Sequence, residues 1–168
     1  FDLVNGRTIA SFILPEAWPA LIAECQRVLR PGGLLRLTEF EWGFTNKPAV
    51  ETLCALVNRA FFLAGRSFSP TGKNLGVTPM LERFLRNANF HDIGSKAYVI
   101  NYSSGAPAQP AMVNNLKIAF LLLQPFLLKM GCSSQQELTA LYEQAIYDIE
   151  QKDFRGRVNL TRVWGRKR

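Results

Sequence analysis

Arg27-Val28-Leu29-Arg30-Pro31-Gly32-Gly33-Leu34-Leu35-Arg36-Leu37-Thr38-Glu39-Phe40 is the stretch whose reading decides the fold. Pro31-Gly32-Gly33 stops a helix and turns the chain. The run from Leu34 to Phe40 is rich in apolar residues and reads as a strand. Upstream, Trp18, Leu21, Ile22, Cys25, Val28 and Leu29 recur at three- and four-residue spacing. That spacing predicts a helix over 15–29 with one buried stripe. Pro15 suits its first turn, where a missing N–H costs nothing. Arg27 and Arg30 favour the negative end of its dipole. Further upstream, Phe1-Asp2-Leu3-Val4 has strand character, and Asn5-Gly6-Arg7 breaks the pattern. Strand, helix and strand in this order make a βαβ unit. Its crossover is right-handed and its strands are parallel. In such a sheet ligands gather at the carboxyl ends of the strands. Residues 5–7 and 38–44 land there.

Downstream, a second helix is expected over 47–64, with Asn46 as N-cap and Gly65 just past its end. Residues 67–77, with Pro70, Gly72 and Gly76, read as a loop. A helix over 78–88, ended by Asn89, and a strand over 93–102 follow. Residues 103–110 are a loop of small residues. Residues 111–130 read as a helix that Pro125 should kink. Ser134-Gln135-Gln136-Glu137 fits a capping box opening a last helix to 152. Residues 158–164 alternate like a half-exposed antiparallel strand. The organisation expected is a single partial domain over 1–168. Core βα units occupy 1–102, a helical insertion 103–153, and a closing strand with a basic tail 154–168.

Composition bounds the rest. The chain has 168 residues, 48% hydrophobic and 20% charged, which is enough to bury a core and rules out a disordered or collagen-like chain. Three cysteines without a C-x-x-C pair argue against a disulfide scaffold and a cysteine zinc site. A single histidine, His91, speaks against a histidine metal centre, and no metal is expected. The net charge of +7 could attract nucleic acid or anionic membrane, yet the positive charges are scattered apart from the Arg166-Lys167-Arg168 tail. That tail is read as solvated, and no nucleic-acid partner is expected. The apolar run Ile118 to Leu128 is too short for a membrane span. Nothing reads as a signal peptide, so the expected location is cytoplasmic.

The ordered series Phe1-Asp2-Leu3-Val4, Trp18-Pro19-Ala20-Leu21, Arg27 to Gly33 and Leu35 to Glu39 resembles the second half of class I S-adenosylmethionine-dependent methyltransferases. Thr161-Arg162-Val163-Trp164-Gly165 looks like that family's closing antiparallel strand. The resemblance implies an α/β fold, the C-terminal half of a Rossmann-like methyltransferase sheet. Its parallel strands would be followed by one antiparallel strand, with a helical insertion before it. It implies S-adenosyl-L-methionine as cofactor and a small-molecule acceptor. The family's glycine-rich cofactor loop and its ribose-binding acidic residue have no counterpart in this sequence. The expectation is therefore an acceptor-side half that binds the cofactor weakly or not at all when alone. The strand from Phe1 would be an exposed edge, inviting a homodimer or other edge pairing.

By position, Asn5, Gly6 and Arg7 look toward the methionine part of the cofactor, or form a plain strand-end turn. Glu39 and Glu41 fall on one face of their strand and Phe40 and Trp42 on the other. A carboxylate among aromatics can have a raised pKa and act as base, or it can cap a helix or face water. Phe40, Trp42 and Phe44 are candidates to hold an apolar acceptor, or are core. Phe61, Phe62, Phe68, Met112, Phe120 and Phe126 are candidates for an apolar cavity, or for packing, with Phe62 and Phe120 singled out. His91 is read as structural, and Cys25 and Cys54 as inert core thiols. The function expected is methyl transfer to a small apolar acceptor by the intact protein. The rival is a non-catalytic remnant that binds an apolar ligand or a partner subunit.

Overall fold

The computed structural model describes all 168 residues. Strand β1 (Leu3–Arg7) leads through a loop and a 3-10 turn (Pro15–Ala17) into helix α1 (Trp18–Val28). Strand β2 (Leu34–Thr45) and helix α2 (Pro48–Leu63) follow. A 3-10 turn (Thr78–Met80) then opens helix α3 (Leu81–Asn87), which precedes strand β3 (His91–Asn101). Helices α4 (Gln109–Lys129) and α5 (Gln135–Ile149) come next, and strand β4 (Gly156–Arg166) ends the fold.

The four strands form one sheet in the order β1-β2-β4-β3. β1 and β2 are parallel, with Leu3 opposite Leu34 and Arg7 opposite Thr38. β4 lies antiparallel between β2 and β3. This is the arrangement that the resemblance implies: parallel strands, a final antiparallel strand, and helices inserted before it. The Pro-Gly-Gly turn behaves as read. Leu29 leaves the helix with extended backbone, and Gly32 takes φ +75°, which favours glycine.

Several boundaries differ from the sequence reading, each for a physical reason. Asn5, Gly6 and Arg7 do not end β1 but complete it, paired to Arg36, Leu37 and Thr38. Gly6 sits in a crowded spot, where a Cβ would lie 3.0 Å from Leu37 and 3.3 Å from Ile9. β2 runs five residues past Phe40, through a bulge between Glu41 and Phe44. His91 opens β3, two residues before the expected start of that strand. Asn46 does not cap α2: Lys47 holds the cap position, and no side chain caps it. Asn46 instead accepts from Arg155 N at 2.8 Å and donates to Asp153 O, clamping the end of β2 to the start of β4. The basic tail is not free. Arg166 is the last residue of β4, and the Lys167 ammonium donates to Leu29 O at the C-terminus of α1. α4 is continuous through Pro125. At 21 residues it is longer than its apolar run suggested, and it is long and apolar enough by composition to cross a membrane. Here it packs on α2 and α5 and gives Leu116, Phe120 and Leu127 to the core.

The two faces of the sheet are covered at opposite ends. Near the start of β4, Val158 and Leu160 are buried; near its end, Val163 and Gly165 are. The buried parity switches because the cover switches. α3 packs on the face carrying Gly165, where Leu85 and Phe90 approach it, whereas α4 lies over the other face at Leu160 and Val158. Arg36, Lys96 and Arg162 share the part of that second face beyond α4. The fold thus gathers cations that look scattered in the sequence.

Candidate functional site

Strand tips and α4 enclose a cavity of about 220 Å³. Its floor is Phe40 and Trp42 of β2, Val158 and Leu160 of β4, and Ile100 of β3. Its roof is Met112, Asn115, Leu116 and Ala119 of α4, and Arg7 and Thr8 stand at the tip of β1. The strand tips are where a βαβ sheet presents residues to ligands. The bulge in β2 brings Gly43 into the lining next to Trp42 and lets Arg157 and Tyr102 approach closely. Thr8 adopts φ +53°, a left-handed backbone that is costly for a β-branched residue. Strain of this kind at a cavity rim is a mark of a functional position.

Glu39 and Glu41 lie on the opposite face of β2 from Phe40 and Trp42, and neither lines the cavity. Glu39 is buried and accepts from Ile9 N at 2.8 Å, which pins the loop after β1. Burial pushes its carboxyl above the usual range, against the pull of amides from Ile9 and Ala10. Glu41 accepts from the backbone amides of Leu75, Gly76 and Thr78 and from the Thr78 hydroxyl. Both glutamates are therefore staples for loops.

The three positions expected at the cofactor are not equivalent. The Asn5 side-chain oxygen accepts from Arg36 Nε at 2.8 Å. Gly6 faces the core. Only Arg7 reaches the cavity, exposed and without a carboxylate partner. Among the aromatics, Phe40 and Trp42 meet edge to face at 5.4 Å. Phe120, behind the wall, stacks on Trp42 at 6.0 Å. Phe44 is exposed on a separate polar cleft with Thr45 and Arg157. Phe62 packs against Gly72 under the Arg59 guanidinium. Neither lines the cavity. His91 lies beside Asp92, away from it. Cys54 does line it, and burial pushes its thiol up to about 12.

Tyr102 is the residue that sequence reading missed. It is 3% exposed, lines the cavity and packs against Phe154 at 5.6 Å. Gly43 and Gly156 make room for it, since a Cβ on either would press on its hydroxyl or its ring. The signal was the alternation Tyr98, Ile100, Tyr102, which continues one face of β3 past its end.

No protein-family model and no curated protein sequence matches the chain. Solved structures do align with it, two of them of one enzyme. One is Haemonchus contortus phosphoethanolamine N-methyltransferase 2 with phosphomonomethylethanolamine and S-adenosylhomocysteine. It is 18% identical at a TM-score of 0.43, over 99% of this chain and 33% of that one. The other is the same enzyme with S-adenosyl-L-methionine, 16% identical at a TM-score of 0.39, over 96% and 33%. The chain spans about a third of the length of these structures.

Proposed function

We propose that this chain is the acceptor-side part of an enzyme that transfers a methyl group from S-adenosyl-L-methionine to a small apolar molecule. The observation that carries the reading is the placement of Arg7 and Thr8, at the tip of a parallel strand pair, on the rim of an apolar cavity. The free Arg7 guanidinium suits the carboxylate of the cofactor's amino-acid end. The nucleoside end finds no free acidic side chain here, because Glu39 and Glu41 are occupied by amides. The residues present thus fit one end of the cofactor.

When bound, the cofactor supplies an electrophilic methyl group on a sulfonium. The task of this chain is then to hold the acceptor in line and to keep water away. The sheet floor and the α4 roof do both. No carboxylate of this chain lines the cavity. The mostly apolar lining supports a second reading, a non-catalytic binder of an apolar ligand. A cytoplasmic setting suits the three free cysteines.

The test is calorimetric titration of the full-length polypeptide with S-adenosylhomocysteine. Saturable heat is expected, with Arg7→Gln weakening binding about tenfold. Absence of heat overturns methyl transfer and leaves the non-catalytic binder.

A further inference from the structure

The cavity under α4 contains an unanswered polar group. Tyr102 is 3% exposed and lines the cavity, and its hydroxyl, which still touches open space, donates to no group of the protein. In the wall beside it, Trp42 Nε1 is buried without a partner. A hydroxyl that faces an apolar cavity gains from a ligand acceptor brought to it. Ten of the 14 lining residues are hydrophobic, and the Cys54 thiol is a weak partner. No carboxylate lines the cavity, so an ammonium group would enter without a counter-charge. The one cation, Arg7, stands at the rim. The space is a slot between a sheet and a helix, and about 220 Å³ is room for one or two fused rings. A cavity of about 150 Å³ in another protein holds benzene.

Resting on the acceptor-site reading above, we propose that this slot selects an uncharged, flat, apolar molecule carrying a carbonyl oxygen, which accepts a hydrogen bond from Tyr102 Oη. The carbonyl answers the Tyr102 hydroxyl, and the ring system fills the apolar remainder. The slot discriminates against amines and against hydrocarbons of the same shape.

The test uses three probes of one shape: methyl 2-naphthyl ketone, 2-isopropenylnaphthalene and 2-naphthylmethylammonium. Each is measured by equilibrium dialysis against the chain with no S-adenosyl ligand present. The ketone should bind about tenfold tighter than the hydrocarbon, and the ammonium should not bind detectably. Tyr102→Phe should erase the ketone's advantage while leaving hydrocarbon affinity unchanged. Its melting temperature should not fall, because the hydroxyl it removes is unpaired. Ala119→Trp, at the roof, should abolish binding of all probes with the circular dichroism spectrum retained. Equal binding of ketone and hydrocarbon, a preference that survives Tyr102→Phe, binding that survives Ala119→Trp, or no binding at all would each overturn the proposal. Because the cofactor is left out, these results are independent of the S-adenosylhomocysteine titration.

Discussion

Glu39 is a carboxylate taken out of water, with amides from the loop after β1 as its partial compensation. Burial dominates, so its folded pKa lies above its unfolded value. The folded state therefore holds that proton more tightly than the unfolded state does. The stability linked to it is fully present below the unfolded carboxylate range and is lost as pH rises through the folded value. Glu39→Gln keeps an oxygen for Ile9 N but carries no charge. It should match wild type in acid and exceed it in urea resistance above the window. A gap between the two urea midpoints that stays constant from pH 4 to pH 8 would contradict this. Glu41 behaves differently, because its two oxygens serve three backbone amides and a hydroxyl. Glu41→Ala strands those donors and should cost about 3 kcal/mol in chemical denaturation. Glu41→Gln, which keeps an acceptor oxygen, should cost less.

Elements were legible wherever local chemistry dictated them. Pro31-Gly32-Gly33 turns the chain as read, and the Ser134–Glu137 capping box forms with both its bonds in place. Ser134→Ala should lower stability by about 1 kcal/mol, read as a shift in thermal midpoint. What was not legible depended on packing from far along the chain. Asn5-Gly6-Arg7 has turn-like composition, yet it pairs with Arg36, Leu37 and Thr38 of β2, with Leu37 and Ile9 crowding the space beside Gly6. β2 outruns its expected end because the bulge absorbs Trp42 and Gly43 while β4 keeps pairing beyond it. The parity of Glu39 and Glu41 against Phe40 and Trp42 was readable from strand alternation. That the glutamates serve loops at 9–10 and 75–78 was not, since those loops meet β2 only in three dimensions. For the same reason, Tyr102 becomes visible as a site residue only once α4 is laid over β3 and β4.

The whole sheet ends on one side in β1, whose outward edge has no neighbour in this chain. Asp2 O and Thr8 N bond toward β2, so the alternation of a parallel ladder turns the N–H and C=O of Leu3, Asn5 and Arg7 the other way. Phe1 is 79% exposed and Leu3 44%, which adds apolar surface to that edge. Edges of this kind pair with other chains unless charge or proline blocks them. The chain is expected to self-associate through β1, with a sedimentation coefficient that rises with concentration. Leu3→Lys places a charge on the edge, and Asn5→Pro removes one outward donor while leaving the backbone ladder to β2 intact, at the loss of its side-chain bond to Arg36. Both should shift the sedimentation profile to monomer while the circular dichroism spectrum stays unchanged. The alternative contact is α4, where Ile118, Leu121 and Leu122 form an exposed apolar stripe. Leu122→Gln separates the two surfaces. It leaves β1 intact, so a monomeric Leu122→Gln variant, or a wild-type chain that stays monomeric at high concentration, would rule out pairing through the strand edge.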